Sequence, residues 1–340
     1  MPASKGREPG EASAGGAAAG RTRDQVVIGV DVGGTNIRAA RVGSDGRVFQ
    51  RFESPSPARD QEMMVDALVA VVAEAVAAGG GRGEVRAVGL GAAGYVLHET
   101  GVVMEAPNIA WRDVPLRSVV SERAGLAVFL DNDANAAAAG EHLFGVARGV
   151  DDFVYLTLGT GIGGGIFIDG KVYRGRRGTA AELGHVTVDP TGPVCGCGRR
   201  GCLEALASGT ALEREAERLV ALDPGSVLHG MSGGDSPGLE GEAVARAAEE
   251  GDRAALAAFE YVSLWLGIGI VNFIHVFDPE LVVLGGGMAR SGHLLLDSVR
   301  RSVAEHGIGS LVRDARIELS CLGGDAGVVG AAAMAWEGIG

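Results

Sequence analysis

The hydrophobic residues of this chain form short β-branched runs that end in glycine, and segments with helical spacing separate the runs. The first run, residues 25–34 (QVVIGVDVGG), predicts a buried strand that leads into a tight turn. Two further strands are predicted at residues 37–44 and 47–54, because Asp45-Gly46 between them is a strong hairpin signal. Together the three strands are expected to form a meander.

The same arrangement recurs in the middle of the chain. Residues 152–161 (DFVYLTLGTG) predict a strand and a glycine turn, and residues 164–168 and 171–175 predict two strands joined by Asp169-Gly170. The phrase SDGRVFQR in the first half nearly matches IDGKVYRG in the second. The repeat indicates a duplicated fold with a cleft between its halves, although two short hairpins can also match by chance.

Helical spacing fills the intervals between the predicted strands. Residues 63–76 predict a helix capped by Asp60, with Met63 and Met64 on its buried face. Further helices are predicted at residues 135–144, 293–303 and 326–336, and residues 254–277 predict one long helix or two abutting helices. A buried strand is predicted at residues 281–287. Strands that alternate with helices in this order predict an α/β architecture.

Length, charge and hydropathy limit the class of protein. The 340 residues are enough for two lobes, since single hydrophobic cores stop growing at about 250–300 residues. The formal net charge of −13 argues against nucleic acid and anionic membranes as partners. The apolar run at residues 261–277 is too short to span a bilayer, and residues 1–24 are interpreted as a disordered tail without an export signal. These features predict a cytoplasmic protein.

Two glycine loops, residues 31–36 (DVGGTN) and 159–165 (GTGIGGG), occupy matching positions at the first turn of each predicted repeat. Backbone amides without side chains can approach phosphate oxygens closely, threonine hydroxyls add donors, and Asp31 can hold a hydrated Mg²⁺ ion. Neither loop fits a Walker or a dinucleotide-binding pattern. A third glycine cluster, at the end of the strand predicted at residues 281–287, is either a nucleotide contact or a plain turn. The candidate nucleotide-binding residues are Asp31, Gly33, Gly34, Thr35, Asn36, Thr160, Gly161, Gly163, Gly285 and Gly286.

A group of polar residues, Asp131-Asn132-Asp133-Ala134-Asn135, follows an otherwise apolar predicted strand. Carboxyl and amide groups at the end of a strand can bind a polyol and accept a proton from one of its hydroxyls. One member of the group is also expected to cap the following helix, since Asn and Asp are preferred at that position. The group as a whole exceeds what a helix cap requires.

Three of the four cysteines lie in one short loop. Cys195, Cys197 and Cys202 supply three thiolates, and His185, ten residues before Cys195, supplies a nitrogen. Three sulfurs and one imidazole form a closed tetrahedral zinc site, which is structural because no position is left for water. A redox pair and plain buried cysteines are the alternatives, although Cys-x-Cys differs from the redox Cys-x-x-Cys pattern.

Two glutamates, Glu182 and Glu204, bracket the candidate zinc ligands in the sequence. If zinc holds one nitrogen of His185, the tautomer is fixed and the other nitrogen can hydrogen-bond a ligand. The metal is then expected to gather both glutamates and the histidine around a single polar pocket. Taken separately, the two glutamates would be interpreted as solvated surface charges.

These motifs together resemble the ROK family of sugar kinases and repressors over nearly the whole chain from Val26 onward. The most specific are Glu-x-Gly-His and Cys-x-Cys-Gly-x-x-Gly-Cys-x-Glu. The resemblance implies a duplicated actin-like, ribonuclease-H-like ATPase fold with ATP and Mg²⁺ in a central cleft, a structural Zn²⁺ ion, and a hexose substrate. Residues 91–94 and 107–111 look most like the actinobacterial glucokinase branch.

The resemblance also implies a role for each matching residue. It places the catalytic base on Asp133 and the zinc ligands on His185, Cys195, Cys197 and Cys202. Phosphate and magnesium positions fall on Asp31, Gly34, Thr35, Thr160 and Gly161. Sugar contacts fall on Asn108, Asn132, Glu182, His185 and Glu204. The predicted lobes are residues 25–133 and residues 134–325 with the zinc loop. The C-terminal helix at 326–340 is expected to pack on either lobe, and completion of the first lobe is one of these two alternatives.

Glucose is the expected hexose, and N-acetylmannosamine and fructose kinases of the same family are the alternatives. Family precedent implies a homodimer or homotetramer. Two other classes compete with the kinase. A sugar-sensing repressor would need a DNA-binding domain, for which the segment before Val26 is too short and too rich in glycine. A zinc-ribbon interaction module would explain the cysteines but would leave Asp133 and both glycine loops without a role.

Overall fold

The computed structural model describes residues 25–79, 84–106, 108–230 and 238–340. Its strands are β1 Val26–Val32, β2 Asn36–Gly43, β3 Val48–Pro55, β4 Val85–Ala92, β5 Tyr95–Leu97, β6 Val102–Ala106, β7 Trp111–Val114, β8 Ala127–Asn132, β9 Phe153–Leu158, β10 Ile162–Ile168, β11 Lys171–Val172, β12 Leu281–Gly285 and β13 Arg316–Leu319. Its helices are α1 Gln61–Ala77, α2 Leu116–Ala124, α3 Asp133–Phe144, α4 Leu203–Ala207, α5 Gly209–Val220, α6 Gly241–Glu249, α7 Arg253–Phe277, α8 Gly292–His306, α9 Gly309–Val312 and α10 Ala326–Ile339. The predicted tail at residues 1–24 lies outside the described residues.

Two five-stranded sheets share one topology. The first has the order β3-β2-β1-β4-β8 and the second has the order β11-β10-β9-β12-β13. In each sheet the first three strands pair antiparallel, and the remaining two pairings are parallel. The duplication predicted from the two Asp-Gly hairpins is confirmed. A smaller antiparallel sheet, β5-β6-β7, follows β4 in the chain.

Helix α10 packs against the first sheet and against α3. Gly29 on β1 and Gly89 on β4 carry no side chains, and the backbone of α10 occupies the space that a Cβ atom would need at either position. Alanines of α3 and α10 also join a buried cluster with Phe153 and Tyr155 of the second sheet. The C-terminal helix thus packs on the first sheet. The lobe boundaries at residues 133 and 325 stay a prediction.

Three elements differ in detail from the sequence prediction. Met63 is 59% exposed, so the buried face of α1 is centred on Met64, and the placement of Met63 on that face was wrong. Strand β11 has only two residues, whereas five were expected. Helix α3 starts at Asp133 because the side chain of Asn132 caps it. Helix α7 is one continuous helix, which is the first of the two predicted alternatives.

Helix α7 is the one described helix long and apolar enough to cross a membrane. Of its apolar window, 61% is buried inside the fold. Its buried residues join the core beneath the second sheet and the cluster that it shares with α5 and α6. The run at residues 261–277, which by itself is too short to span a bilayer, is the C-terminal part of this longer helix. The burial of the helix is typical of the core helix of a globular protein.

Candidate functional site

A cleft of about 240 Å³ lies between the two sheets and contains two aspartates, Asp31 and Asp133. Asp31 is near the end of β1, and Asp133 is the first residue of α3. The opposite wall comes from the second sheet, through Thr157 of β9 and the glycines that follow β12. The loop before α10 closes one side of the cleft. Both lobes therefore contribute to one acidic site.

Burial sets the protonation of both aspartates. Loss of solvent, and then the negative charge of Asp133, raise the pKa of Asp31 to about 6, and the positive charge of Arg38 opposes this shift. Burial also raises the pKa of Asp133, although the backbone amide of Ala134 and the side chain of Asn132 hydrogen-bond its carboxylate. A carboxylate with a raised pKa accepts a proton more readily, which suits a general base.

The glycine loops adopt tight turns, and their residues have different surroundings. In the first loop the amide of Gly33 donates to the carbonyl of Asn36 over 3.1 Å, while Gly34 lies against the backbone of Asn108. In the second loop Thr160 lines the larger cavity described below. Gly163 is already part of β10, where a Cβ atom would meet Thr157.

The third glycine cluster occupies the carboxyl end of β12. Gly285 packs against the ring of Tyr155, and Gly286 adopts a φ of +84° beside the backbone of Leu158. A left-handed conformation of this kind favours glycine. Gly286 lines the cleft. Asp31, Thr160 and Gly286 are the predicted nucleotide residues that line one of the two cavities.

A larger cavity of about 670 Å³ adjoins the cleft and falls within the size range of small-molecule sites. It shares Gly287 and Arg290 with the cleft, so the two cavities are neighbours at these residues. Thr210, at the start of α5, also lines it, and its hydroxyl donates to the carbonyl of Thr160 over 2.9 Å. The sequence did not predict that the start of α5 lines this cavity. The Ser208-Gly209-Thr210 helix start was the available signal, because Ser208 caps α5.

The predicted zinc ligands converge. The four candidate ligand atoms of His185, Cys195, Cys197 and Cys202 all lie within 4.8 Å of one another. The Sγ atoms of Cys197 and Cys202 are 3.6 Å apart, and the Sγ of Cys195 is 3.7 Å from the Nδ1 of His185. Ligands at about 2.3 Å from a tetrahedral zinc ion would be separated by about 3.8 Å. The donor set and its spacing therefore fit Zn²⁺.

The same cluster orients the histidine. The Nδ1 atom of His185 faces Cys195 at 3.7 Å and the Oε1 of Glu204 at 3.9 Å, which makes Nδ1 the nitrogen on the metal side. The other nitrogen, Nε2, is left for a ligand. The side chain of His185 is 30% exposed, so a bound molecule can reach it.

Glu204 connects the cysteine loop to the second glycine loop. Its Oε2 accepts a hydrogen bond of 3.0 Å from the amide of Ile162, and its Oε1 accepts one of 3.2 Å from the Cys195 thiol. Glu182 belongs to the same electrostatic environment. Loss of solvent raises the pKa of Glu182, the charge of His185 opposes the shift, and Asp133 and Glu204 add to it.

The two predicted asparagines occupy different positions. Asn132 caps α3 through its Oδ1, which accepts from the amides of Ala134 at 2.9 Å and Asn135 at 3.2 Å. Its Nδ2 donates to the carbonyl of Gly94 over 3.2 Å. Asn108 is exposed beside the first glycine loop. The preceding Pro107 lies outside the described residues.

Asp131 has a structural role that the sequence did not reveal. It is fully buried, and its Oδ2 accepts a hydrogen bond of 2.6 Å from the Nε of Arg174, which follows the second sheet's last hairpin strand. Its Oδ1 accepts from the Nδ2 of Asn135 over 2.9 Å. Although burial alone raises it, the pKa of Asp131 is held below its ordinary value by His98, Arg174 and Asn135. This ion pair joins the two lobes two residues from Asp133.

Replacing Arg174 is expected to destabilise the fold. Arg174→Ala leaves the carboxylate of Asp131 buried without its cation, which costs about 3–5 kcal/mol for a buried pair. Urea unfolding measures the loss. Arg177→Ala, in the same loop but at an exposed position, is the matched control. Asp131→Asn in the Arg174→Ala background should recover part of the stability, and equal losses in both arginine variants would show that the pair contributes nothing.

The architecture and the site define a class of protein. Two copies of one sheet topology that enclose an acidic cleft, with a nucleotide-sized cavity beside it, are the arrangement of an actin-like ATPase fold. A sequence profile of the ROK family matches residues 27–337. The chain belongs to this family.

Relatives of known structure or name cover most of the chain. A glucokinase of Streptomyces coelicolor is 41% identical over 92% of this chain and 98% of its own length. The crystal structure of a ROK family glucokinase from Streptomyces griseus, in complex with glucose and AMPPNP, matches with a TM-score of 0.80. It is 45% identical and covers 90% of this chain and 98% of its own. A xylose repressor of Caldicellulosiruptor bescii is 34% identical over 91% of this chain and 77% of its own length.

Proposed function

We propose that this protein transfers the γ-phosphoryl group of ATP to glucose and produces glucose 6-phosphate and ADP. One observation carries the proposal: the larger cavity adjoins the cleft that holds Asp133 and shares Gly287 and Arg290 with it, so that the phosphates of a nucleotide bound in the former would extend toward this carboxylate. Relatives named glucokinase, at 41% identity over 92% of the chain, support the choice of substrate.

The nucleotide is assigned to the larger cavity. Its adenosine would lie among the residues at the start of α5 and α6, and its phosphates would point past Thr160 toward the cleft. Asp31 would hold a hydrated Mg²⁺ ion, which offsets negative charge on the phosphates. Because the pKa of Asp31 is about 6, this carboxylate is mostly ionised at neutral pH and can bind the cation.

The hexose is assigned to the space between Asp133 and the cysteine loop. Glu182, the Nε2 of His185 and Glu204 would accept or donate hydrogen bonds to its hydroxyls, with Asn108 and Asn132 on the opposite side. Such a set of polar groups fixes the orientation of a polyol and places one hydroxyl next to the carboxylate of Asp133.

The proposed chemistry is a direct in-line displacement. The O6 atom of glucose forms a bond to the γ-phosphorus while the bond from that phosphorus to the bridging oxygen of ADP breaks. In a loose transition state the acceptor needs little early activation, so Asp133 mainly orients the hydroxyl and takes its proton late. Closure of the lobes on the sugar would exclude water, which otherwise competes as an acceptor.

Zinc is assigned a structural role in this site. His185, Cys195, Cys197 and Cys202 would complete its coordination, and the metal would fix the orientation and tautomer of the imidazole. Ligation would remove the thiol proton through which Cys195 donates to Glu204, and the Oε1 of Glu204 would then be an acceptor for a sugar hydroxyl. Cytoplasmic location and a homo-oligomeric state complete the proposal.

A substrate panel tests the proposed function. Release of ADP is measured with glucose, mannose, fructose, N-acetylglucosamine and N-acetylmannosamine, each with and without a chelator. We expect glucose to give the highest kcat/KM. A preference for N-acetylmannosamine or fructose would reassign the substrate within the family, and the absence of turnover with every sugar would contradict the kinase.

One rival function has support among the relatives. The xylose repressor of C. bescii is 34% identical, and this chain covers 77% of its length. A regulator needs to bind sugar but has no need to transfer phosphate. Sugar binding without ADP release in the panel would therefore favour the regulator.

A further inference from the structure

Two arginines, Arg38 and Arg290, line the acidic cleft, and neither was among the predicted site residues. They are the cationic side chains of the cleft within the part of the chain that the structure describes. They come from different sheets: Arg38 belongs to β2, and Arg290 lies in the short helical turn that follows β12. The cleft therefore has one positive charge on each side.

Arg38 lies beside Asp31. In the register of the first sheet it lies directly opposite Asp31, and its positive charge lowers the pKa of that residue. Its Nε is 3.3 Å from the Oε1 of Glu53, and both side chains are about half exposed, at 53% and 54%. Exposed ion pairs of this kind contribute roughly 0–1 kcal/mol, so the guanidinium can change partner at little cost.

Arg290 lies where the two cavities meet, because it lines both the cleft and the larger cavity. Its Nη1 is 3.8 Å from the Oε1 of Glu242, and the two side chains are 75% and 85% exposed. This pair is longer and more exposed than that of Arg38. A ligand that extends from the larger cavity into the cleft must pass this side chain.

The negative charge of the cleft makes cationic side chains necessary for phosphate binding. A triphosphate that enters between Asp31 and Asp133 meets two carboxylates, and a divalent cation offsets only part of the combined negative charge. Neither glycine loop contains a lysine, the residue that contacts phosphates in a Walker loop. Guanidinium groups bind phosphate oxygens in a bidentate manner and keep their charge at every relevant pH.

We propose that Arg38 and Arg290 bind the phosphates of the nucleotide from opposite sides of the cleft. Arg290, at the junction with the larger cavity, binds the phosphates nearer the adenosine. Arg38, beside Asp31 and Asp133, binds the γ-phosphoryl group that is transferred. This assignment rests on the proposed kinase function and adds to it two phosphate-binding residues.

The two variants are expected to behave differently. A hydrogen bond to a charged group contributes roughly 1.5–3 kcal/mol, so Arg290→Ala should weaken ATP and ADP binding by about 10- to 100-fold. Adenosine binding should be unchanged, since adenosine lacks phosphates. Arg38→Ala should lower kcat by at least about tenfold and affect ADP affinity less, because ADP has no γ-phosphate. Isothermal titration calorimetry and the KM and kcat of ATP measure these effects.

Matched substitutions separate phosphate binding from general loss of surface charge. Arg301 pairs with Glu260 at 3.7 Å, much as Arg290 pairs with Glu242, but lines neither cavity. Arg301→Ala should leave ATP affinity unchanged, and Arg290→Lys should retain part of it. For Arg38 the control is Arg123→Ala, on an exposed pair with Asp66 at 2.7 Å.

Two results would overturn the inference. One is an Arg290→Ala variant that binds ATP as tightly as the unmodified protein, and the other is one that loses adenosine and ATP affinity equally. Failure of the kinase function itself is distinguishable, because it would show as no sugar-dependent ADP release by the unmodified protein.

Discussion

Asp133→Asn is expected to lower kcat for glucose phosphorylation by about 10²–10⁴-fold, the usual contribution of a general base. The amide keeps the size of the carboxylate and can still contact a hydroxyl, but it cannot take the proton of O6. Glucose affinity should therefore change little. Steady-state kinetics give kcat, and calorimetry with glucose gives the affinity in the absence of turnover.

Asp31→Asn provides the comparison, since both aspartates line the same cleft. That variant should bind Mg²⁺ more weakly, so higher Mg²⁺ should restore part of its activity. Added Mg²⁺ should not restore Asp133→Asn. If the Asp133 variant turned over at a near-normal rate, the base would have to be a different group.

The fold was predictable because its signals are local. Each meander is encoded by β-branched runs and an Asp-Gly turn, and Asp169 and Gly170 adopt the positive φ values of 52° and 69° that such a turn requires. The packing of α10 was left open between the two lobes. Its place depends on Gly29 and Gly89, which lie far away in the sequence and make room for its backbone.

The residues of the candidate site also fall into two groups: those that local sequence indicates and those that only tertiary contacts identify. The zinc ligands and Asp133 carry their signal in spacing and in position at the end of a strand, so the sequence indicated them. Arg38, Arg174 and Arg290 resemble ordinary surface arginines in the sequence. Each of them is distinguished by the groups or cavities beside it, and only the tertiary structure shows these neighbours.

Removal of the zinc site should weaken glucose binding more than nucleotide binding. In Cys197→Ser the cluster loses one of its four ligands, and Cys197 is the exposed cysteine of the three, so the substitution disturbs packing least. Zinc content should fall, and glucose affinity should fall by about 10–100-fold, as when the support of a site residue is lost. Metal analysis and glucose titration measure the two effects.

The expected loss of glucose affinity follows from the orientation of His185. Its Nδ1 faces the sulfur of Cys195, and without a metal the ring can turn away from the sugar or change its tautomer. Adenosine binding should persist, because none of the four zinc ligands lines the larger cavity. Cys321→Ser makes the same change at an exposed cysteine outside the cluster and should alter neither quantity. Full glucose affinity in zinc-free Cys197→Ser protein would separate the metal from sugar recognition.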